Sequence, residues 1–310
     1  MIAFVAFLFF LGLGFDTFYL GEAGGAIPIG SIAALAVGSV SALMSYYGGD
    51  RAVLMSAHAT PLTEVAASAD ENEKFKLRQL ENVVDEMAIA AGLPRPPVYI
   101  VPDDDPNAFA TGRGPGHASI AVTRGLVNAL DREELQGVVA HEMSHIRNLD
   151  IRVMTIVAAL VGGVALLSDW ARRGMWWGGG SRRRDDEGER GGGIAGVIFF
   201  VVWLIAIAIA PLMAQALAMM VSRRREYLAD ASGAELTRNP LGLARALEKI
   251  DAAVAPTQAI AQGSAHLCIA DPLGRRVNLR ENGFWTDLFA SHPPMAARIA
   301  ALKEMAFQGR

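Results

Sequence analysis

Hydrophobic and polar positions divide this chain into four long apolar blocks separated by mixed, amphipathic ones. The apolar blocks run from Met1 to Leu20, interrupted only by Asp16, then Ile29 to Tyr47, Ile151 to Trp170, and Ile194 to Val221. Crossing a bilayer takes about 20 apolar residues in helical form, so each block predicts a transmembrane helix. A buried soluble core explains one such run more easily than four. Pro211 predicts a kink in the fourth. The loop from Gly21 to Pro28 is short and holds no Lys or Arg, so the first two blocks predict a helical hairpin. No basic stretch precedes the first block, and Leu20-Gly21-Glu22 is a poor cleavage site, which predicts a retained anchor rather than a signal peptide.

The mixed blocks show shorter periods. Thr60 to Asp70 reads as a linker. From Glu73 to Ala91, the residues Leu77, Leu80, Val84, Met87 and Ala91 recur at helical spacing with charges opposite them, and Gly92 and Pro94 close the helix. Pro97 to Val101 is β-branched and aromatic and predicts a strand. Asn107 to Thr111 and His117 to Thr123 flank the turn Gly112-Arg113-Gly114-Pro115-Gly116, so a small antiparallel sheet is expected. That turn lacks the Lys-Ser/Thr of a phosphate loop, and Asp103-Asp104-Asp105 lacks calcium-loop spacing. Ala171 to Gly193 is Gly-rich and charged and reads as a mobile linker.

Composition sharpens this picture. Hydrophobic residues make up 52% of the 310, the mean hydropathy is +0.28, and the net charge is −4. The first two values fit a membrane protein, and the third argues against a nucleic-acid partner. A single cysteine, Cys268, excludes an internal disulfide and reads as a small buried hydrophobe.

The candidate chemistry sits in the run Val138-Val139-Ala140-His141-Glu142-Met143-Ser144-His145-Ile146-Arg147. Asp131 and Glu134 ahead of it form a capping-box pattern that starts a helix. On that helix His141 and His145, at i and i+4, present two imidazoles to one point. Two neutral imidazoles suit zinc, and a carboxylate beside them, Glu142, can take a proton from water activated there. A third ligand is then required. Glu226, in the run Ser222-Arg223-Arg224-Arg225-Glu226-Tyr227-Leu228-Ala229-Asp230, is the carboxylate candidate. Asp230, one turn on, can accept the free N–H of a zinc-bound imidazole. By itself this run reads equally as a solvated Arg/Glu face, and His266 and His292 are rival ligands. Two apolar blocks separate His141 from Glu226. That even number of crossings leaves both on one side of a membrane.

Four blocks in this order resemble the HtpX-type membrane metalloproteases, relatives of the CAAX prenyl proteases within the gluzincin class. They are Asn107-Ala108-Phe109-Ala110-Thr111-Gly112, His141 to His145, Ser222 to Asp230, and Ser291-His292-Pro293-Pro294. Together with the two hydrophobic pairs, the resemblance covers essentially the whole chain; the Arg-rich loop after the third block does not match it. It implies a mainly α membrane protein with four transmembrane helices and a gluzincin-like zinc protease domain containing a small antiparallel sheet. The expected layout is an N-terminal hairpin over 1–50, a first catalytic part over 51–150, the second hydrophobic pair over 151–221, and a second catalytic part over 222–310. It also implies one Zn2+ per chain on His141, His145 and Glu226, Glu142 as general base, and His292 as a stabiliser of the oxyanion. The competing reading of His292 is a cap on the last helix. Arg298 either orients a carboxylate of the site or lies on the surface. Asn107, Ala108 and Phe109 resemble the family's edge strand, to which an extended substrate adds by main-chain hydrogen bonds.

The implied enzyme degrades misfolded or damaged membrane proteins from the bacterial cytoplasmic membrane, with its site facing the cytoplasm and no nucleic-acid partner. Prenyl-peptide processing is the nearest enzymatic rival. A transporter lacks the mid-span Lys, Arg, Glu or His it would need, and a catalytically dead scaffold would show a broken motif. Basic residues oppose one another over orientation. Arg51, Arg147 and Arg223 to Arg225 obey the positive-inside tendency, whereas Arg172, Arg173, Arg182, Arg183, Arg184 and Arg190 lie in a loop expected outside. Either the second pair spans fully or it forms a hairpin held on the cytoplasmic side; the apolar lengths favour full spanning.

Overall fold

The computed structural model describes residues 29–157, 223–253, 267–270 and 293–308, together with Val5, Ala6, Phe9 and Leu13. The fourth apolar block, most of the first and third, the loop from Ala171 to Gly193, and both His266 and His292 lie outside the described residues. The chain divides into two compact units, Met1–Tyr47 with Leu160–Ala214, and Gly48–Ala159 with Gln215–Arg310.

The first unit's described part is helical. Helix α1, Ile29–Ser56, contains the second apolar block and runs beyond it through Asp50 and Arg51 into the second unit's residues. Ile32, Leu35, Val40, Leu43, Met44 and Tyr47 are exposed along it. Among the described residues no helix is long and apolar enough to cross a membrane, which differs from the expectation for the second block.

The second unit holds the sheet and most of the described helices. After α1 the chain forms strand β1, Thr60–Pro61, helix α2, Leu62–Ser68, and helix α3, Glu71–Ala91. The segment read as a linker is therefore structured, because Leu62 is buried in the core and Thr60 and Pro61 pair with Ile100 and Tyr99. Asp70 caps α3 by accepting from the Glu73 N–H at 2.8 Å. Gly92, at φ +67°, ends it in the left-handed region that a side chain would strain. The expected apolar face is buried: Leu77, Leu80, Val84 and Met87, joined by Val83 and Ala88.

Strands β2, Val98–Val101, β3, Ala108–Gly112, and β4, Ala118–Thr123, complete a sheet of order β1-β2-β4-β3. The hairpin β3–β4 is antiparallel as expected, with Ala110 opposite Ile120. Gly112 turns it at φ +137°, where an added Cβ would sit 2.2 Å from the His117 carbonyl oxygen. The sheet as a whole is mixed, however, because β2 and β4 are parallel. The chain leaves β2, reaches the far edge as β3, and returns to lie between them. Alternation along each strand says which residues are buried and is blind to this order.

Helix α4, Arg124–Ala129, leads to α5, Arg132–Arg147, the hub of the unit. Its capping box forms as expected: Asp131 accepts from the Glu134 N–H at 3.0 Å and Glu134 accepts from the Asp131 N–H at 2.8 Å. Every residue from Val138 to Ile146 is buried, so the helix is enclosed on all sides rather than along one stripe. Helix α6, Arg223–Thr237, and helix α7, Pro240–Ala252, pack on it, and helix α8, Met295–Gln308, packs on α7 and α6. Asn239 caps α7 through the Gly242 N–H, with Pro240 at the first helical position. Two glycines permit close crossings. A Cβ on Gly137 would meet the Leu243 backbone of α7 at 2.7 Å, and one on Gly233 would meet the His141 nitrogen of α5 at 3.0 Å.

Candidate metal centre

The crossing of α6 over α5 at Gly233 creates the site. Glu226, Asp230 and Gly233 share one face of α6 at i, i+4 and i+7. The same face that lets the backbones touch carries two carboxylates to the histidines of α5. His141 Nε2 and His145 Nε2 stand 3.2 Å apart, with the rings nearly perpendicular at 87°. Glu226 Oε2 lies 3.7 Å from His141 Nε2, and its Oε1 lies 3.6 Å from His145 Nε2. All three side chains are buried.

These spacings suit a metal. Two imidazole nitrogens each about 2.0–2.1 Å from a zinc at a tetrahedral angle are about 3.3 Å apart. The donor atoms of His141, His145 and Glu226 all fall within 4.8 Å of one another, and two nitrogens plus one carboxylate form a catalytic rather than a closed structural donor set. Glu142, one residue past His141, is also buried, and its Oε1 has no hydrogen-bond partner.

Each imidazole turns its other nitrogen toward an aspartate, which is the arrangement that frees Nε2 for a metal. His141 Nδ1 is 2.9 Å from Asp230 Oδ1, and His145 Nδ1 is 3.2 Å from Asp150 Oδ2. Each aspartate in turn is held by an arginine. Arg298 Nε and Nη2 donate to the two oxygens of Asp230 at 2.8 and 2.7 Å, and Arg225 Nη1 donates to Asp150 Oδ1 at 3.0 Å. The two His–Asp–Arg relays are unequal. Arg298 is fully buried, while the Arg225 side chain is 38% exposed.

The electrostatics follow from burial and charge. Four carboxylates, Glu142, Glu226, Asp230 and Asp150, surround the imidazoles, against two guanidinium groups, so negative charge is in surplus where a dication would sit. Burial pushes the Glu142 carboxyl up to about 7, aided by Glu226 and opposed by His145. Burial pulls the His141 imidazole down, and Asp230 only partly offsets it. Burial also pulls on His145, but Asp150, Glu226 and Glu142 outweigh it and lift that imidazole to about 8. Burial would raise Asp230, but the Arg298 guanidinium overcomes it and holds the carboxyl at about 2.

Asn107, Ala108 and Phe109 are buried at the outer edge of the sheet. The Ala108 carbonyl accepts from the Ile269 N–H at 2.9 Å, and the Asn107 side-chain amide donates to the Ala270 carbonyl at 3.0 Å. Phe109 bridges Cys268 in antiparallel fashion. Residues 267–270 thus lie against the start of β3 through one bridge and the hydrogen bonds of Ile269 and Ala270, with Cys268 buried as expected. His292 lies outside the described residues.

Sequence reading overlooked Asp150 and Arg225 as parts of the site. The signal for Asp150 was present, since a carboxylate five residues past the second histidine can serve that ring as Asp230 serves the first. For Arg298 no local pattern separates a buried from a surface arginine.

Residues 75–306 match the family model described as peptidase family M48. The chain belongs to this family. Membership of M48 makes it a metallopeptidase, and zinc is the cofactor of these enzymes, in agreement with the His141, His145 and Glu226 cluster. A curated relative from Caldanaerobacter subterraneus subsp. tengcongensis, named as a protease HtpX homolog, is 47% identical over 79% of this chain and 77% of its own. Relatives of the same name from Streptococcus gordonii and Listeria monocytogenes are 39% and 42% identical, over 98% and 96% of this chain and 95% of theirs. The crystal structure of Ste24p from S. mikatae aligns with a TM-score of 0.50 at 19% identity, over 97% of this chain and 63% of that one. That likeness concerns the fold alone.

Proposed function

We propose that this M48 peptidase is a membrane-embedded zinc endopeptidase that hydrolyses peptide bonds of misfolded or damaged membrane proteins, with its site facing the cytoplasm. The observation that carries the peptidase reading is the buried convergence of His141, His145 and Glu226 beside Glu142. The membrane reading rests on the four apolar blocks and the exposed apolar positions of α1.

In this reading the two histidines and Glu226 hold the ion. When bound, zinc supplies Lewis acidity, polarising a carbonyl and acidifying water. Glu142 is the proton carrier. Its carboxylate, buried beside the donor set, takes a proton and returns it to the leaving amine. Asp230 and Asp150 fix the ring orientations. Asn107 to Phe109 are assigned by resemblance to the edge along which an extended peptide is read by main-chain hydrogen bonds, and residues 267–270 hold that edge at Asn107, Ala108 and Phe109. Recognition of that kind tolerates many side chains and suits unfolded substrates. His292 remains assigned to the oxyanion by resemblance.

The test is zinc analysis of the purified chain combined with digestion of an unfolded membrane protein, with and without a chelator. One zinc per chain and chelator-sensitive cleavage are expected. Cleavage unaffected by complete metal removal would refute the reading, and cleavage confined to prenylated C-terminal peptides would transfer it to the processing class.

A further inference from the structure

Arg298 is among the largest fully buried side chains of the described residues, and a buried guanidinium is costly unless its donors are satisfied. Its contacts reach two parts of the molecule. Nε and Nη2 form a fork on Asp230 at 2.8 and 2.7 Å, and Nη1 stands 3.5 Å from Glu226 Oε2. The same Nη1 donates to the Ile269 carbonyl oxygen at 2.8 Å. Ile269 in turn gives its N–H to Ala108 on β3, and its neighbour Ala270 holds the Asn107 amide. Helix α8 therefore inserts one cation between the ligand Glu226, the Asp230 carboxylate behind His141, and the backbone that lies against β3.

We propose that Arg298 is a positioning residue for the peptidase reaction, acting on the metal ligand His141 through Asp230 and on the peptide-reading edge through the backbone of residues 267–270. This rests on the zinc-peptidase reading above. The planar fork explains why arginine fits here. Two parallel donors fix the plane of the Asp230 carboxylate, so that Oδ1 is presented to His141 Nδ1 at 2.9 Å. A lysine has the charge without the fork and cannot span Asp230 and Ile269 with fixed geometry. The relay through Arg225 and Asp150 serves His145 alone, since no comparable bond ties Arg225 to the edge segment among the described contacts.

The two arms separate by experiment. The full chain in detergent is prepared as wild type, Arg298→Lys, Arg298→Met, Asp230→Asn and the Arg298→Met/Asp230→Asn double variant, with His145→Ala as a control. Zinc affinity is measured on each by competition with a chromophoric chelator, and KM and kcat on a fluorogenic extended peptide. Asp230→Asn is expected to weaken zinc about 10–100-fold with KM little changed, as losses behind a metal ligand do. Arg298→Lys is expected to weaken zinc about 10-fold and also to raise KM several-fold, because the edge loses its anchor. The double variant should bind zinc no more weakly than Asp230→Asn alone, because an arginine acting through Asp230 has nothing further to lose once that carboxylate is neutral. It also removes the charge of Asp230 together with that of Arg298, so it and Arg298→Lys decide the matter if Arg298→Met fails to fold. Wild-type zinc affinity and KM in Arg298→Lys, or additive zinc losses in the double variant, overturns the proposal. A wild type that binds no zinc, or His145→Ala binding it as tightly as wild type, fails the metal assignment itself.

Discussion

Replacing Gly233 by Ala should weaken the metal site and lower the stability of the metal-free fold by at most about 2 kcal/mol. In a helix interior this change ordinarily adds about 1 kcal/mol of stability. Here the new Cβ would lie 3.0 Å from the His141 nitrogen, 3.2 Å from its Cα and 3.3 Å from the Ala140 carbonyl carbon. Relaxed carbon contacts need about 3.5–4.0 Å, so α6 must retreat by a few tenths of an ångström. The obstacle is helical backbone, which cannot swing aside as a side chain would. Overpacking of this kind costs about 1–3 kcal/mol, which the propensity gain partly offsets. The metal site has no such compensation. Glu226 and Asp230 ride on the same face of α6, and ligand distances tolerate only about 0.2 Å of error. A loss of about tenfold in zinc affinity is expected, or about 1.4 kcal/mol. Chelator competition measures that loss, and thermal unfolding of the chelated protein measures the fold. Wild-type zinc affinity combined with a raised Tm would show that the crossing does not set the ligand geometry.

Glu142→Gln should keep its zinc and lose nearly all turnover, because the amide cannot accept the proton; cleavage at the wild-type rate would remove Glu142 from the mechanism. Glu226→Gln should lose zinc, a neutral amide being a far poorer ligand than a carboxylate, and metal analysis of the purified variant decides it. Asp150→Asn should lower zinc affinity by about 10-fold or more, with an unchanged dissociation constant arguing that His145 needs no partner. Gly179→Cys in a Cys268→Ala background should react with an impermeant maleimide in intact cells if the second hydrophobic pair spans the membrane. Labelling only after permeabilisation would favour the cytoplasmic hairpin.

Local patterns carried whatever depends on neighbours in sequence. The spacing of His141 and His145, the capping box at Asp131 and the apolar face of α3 all follow from helical periodicity, so each was readable along the chain. Glu226 and Asp230 were readable as a pair for the same reason, and the requirement for a third ligand joined them to the histidines. What no local pattern holds is which surfaces meet. Strand alternation gives burial and not neighbour order, so the parallel β2–β4 pairing within the sheet emerged only in three dimensions. Gly233 is an unremarkable helical glycine until α5 lies across it. Asn107 and Ala108 looked like a bare edge, yet residues more than 150 positions away occupy it. Arg298 shows the division most sharply. A charged side chain reads as surface unless its partners are known, and its partners Asp230 and Ile269 come from two distant segments that only the packing of α8 brings together.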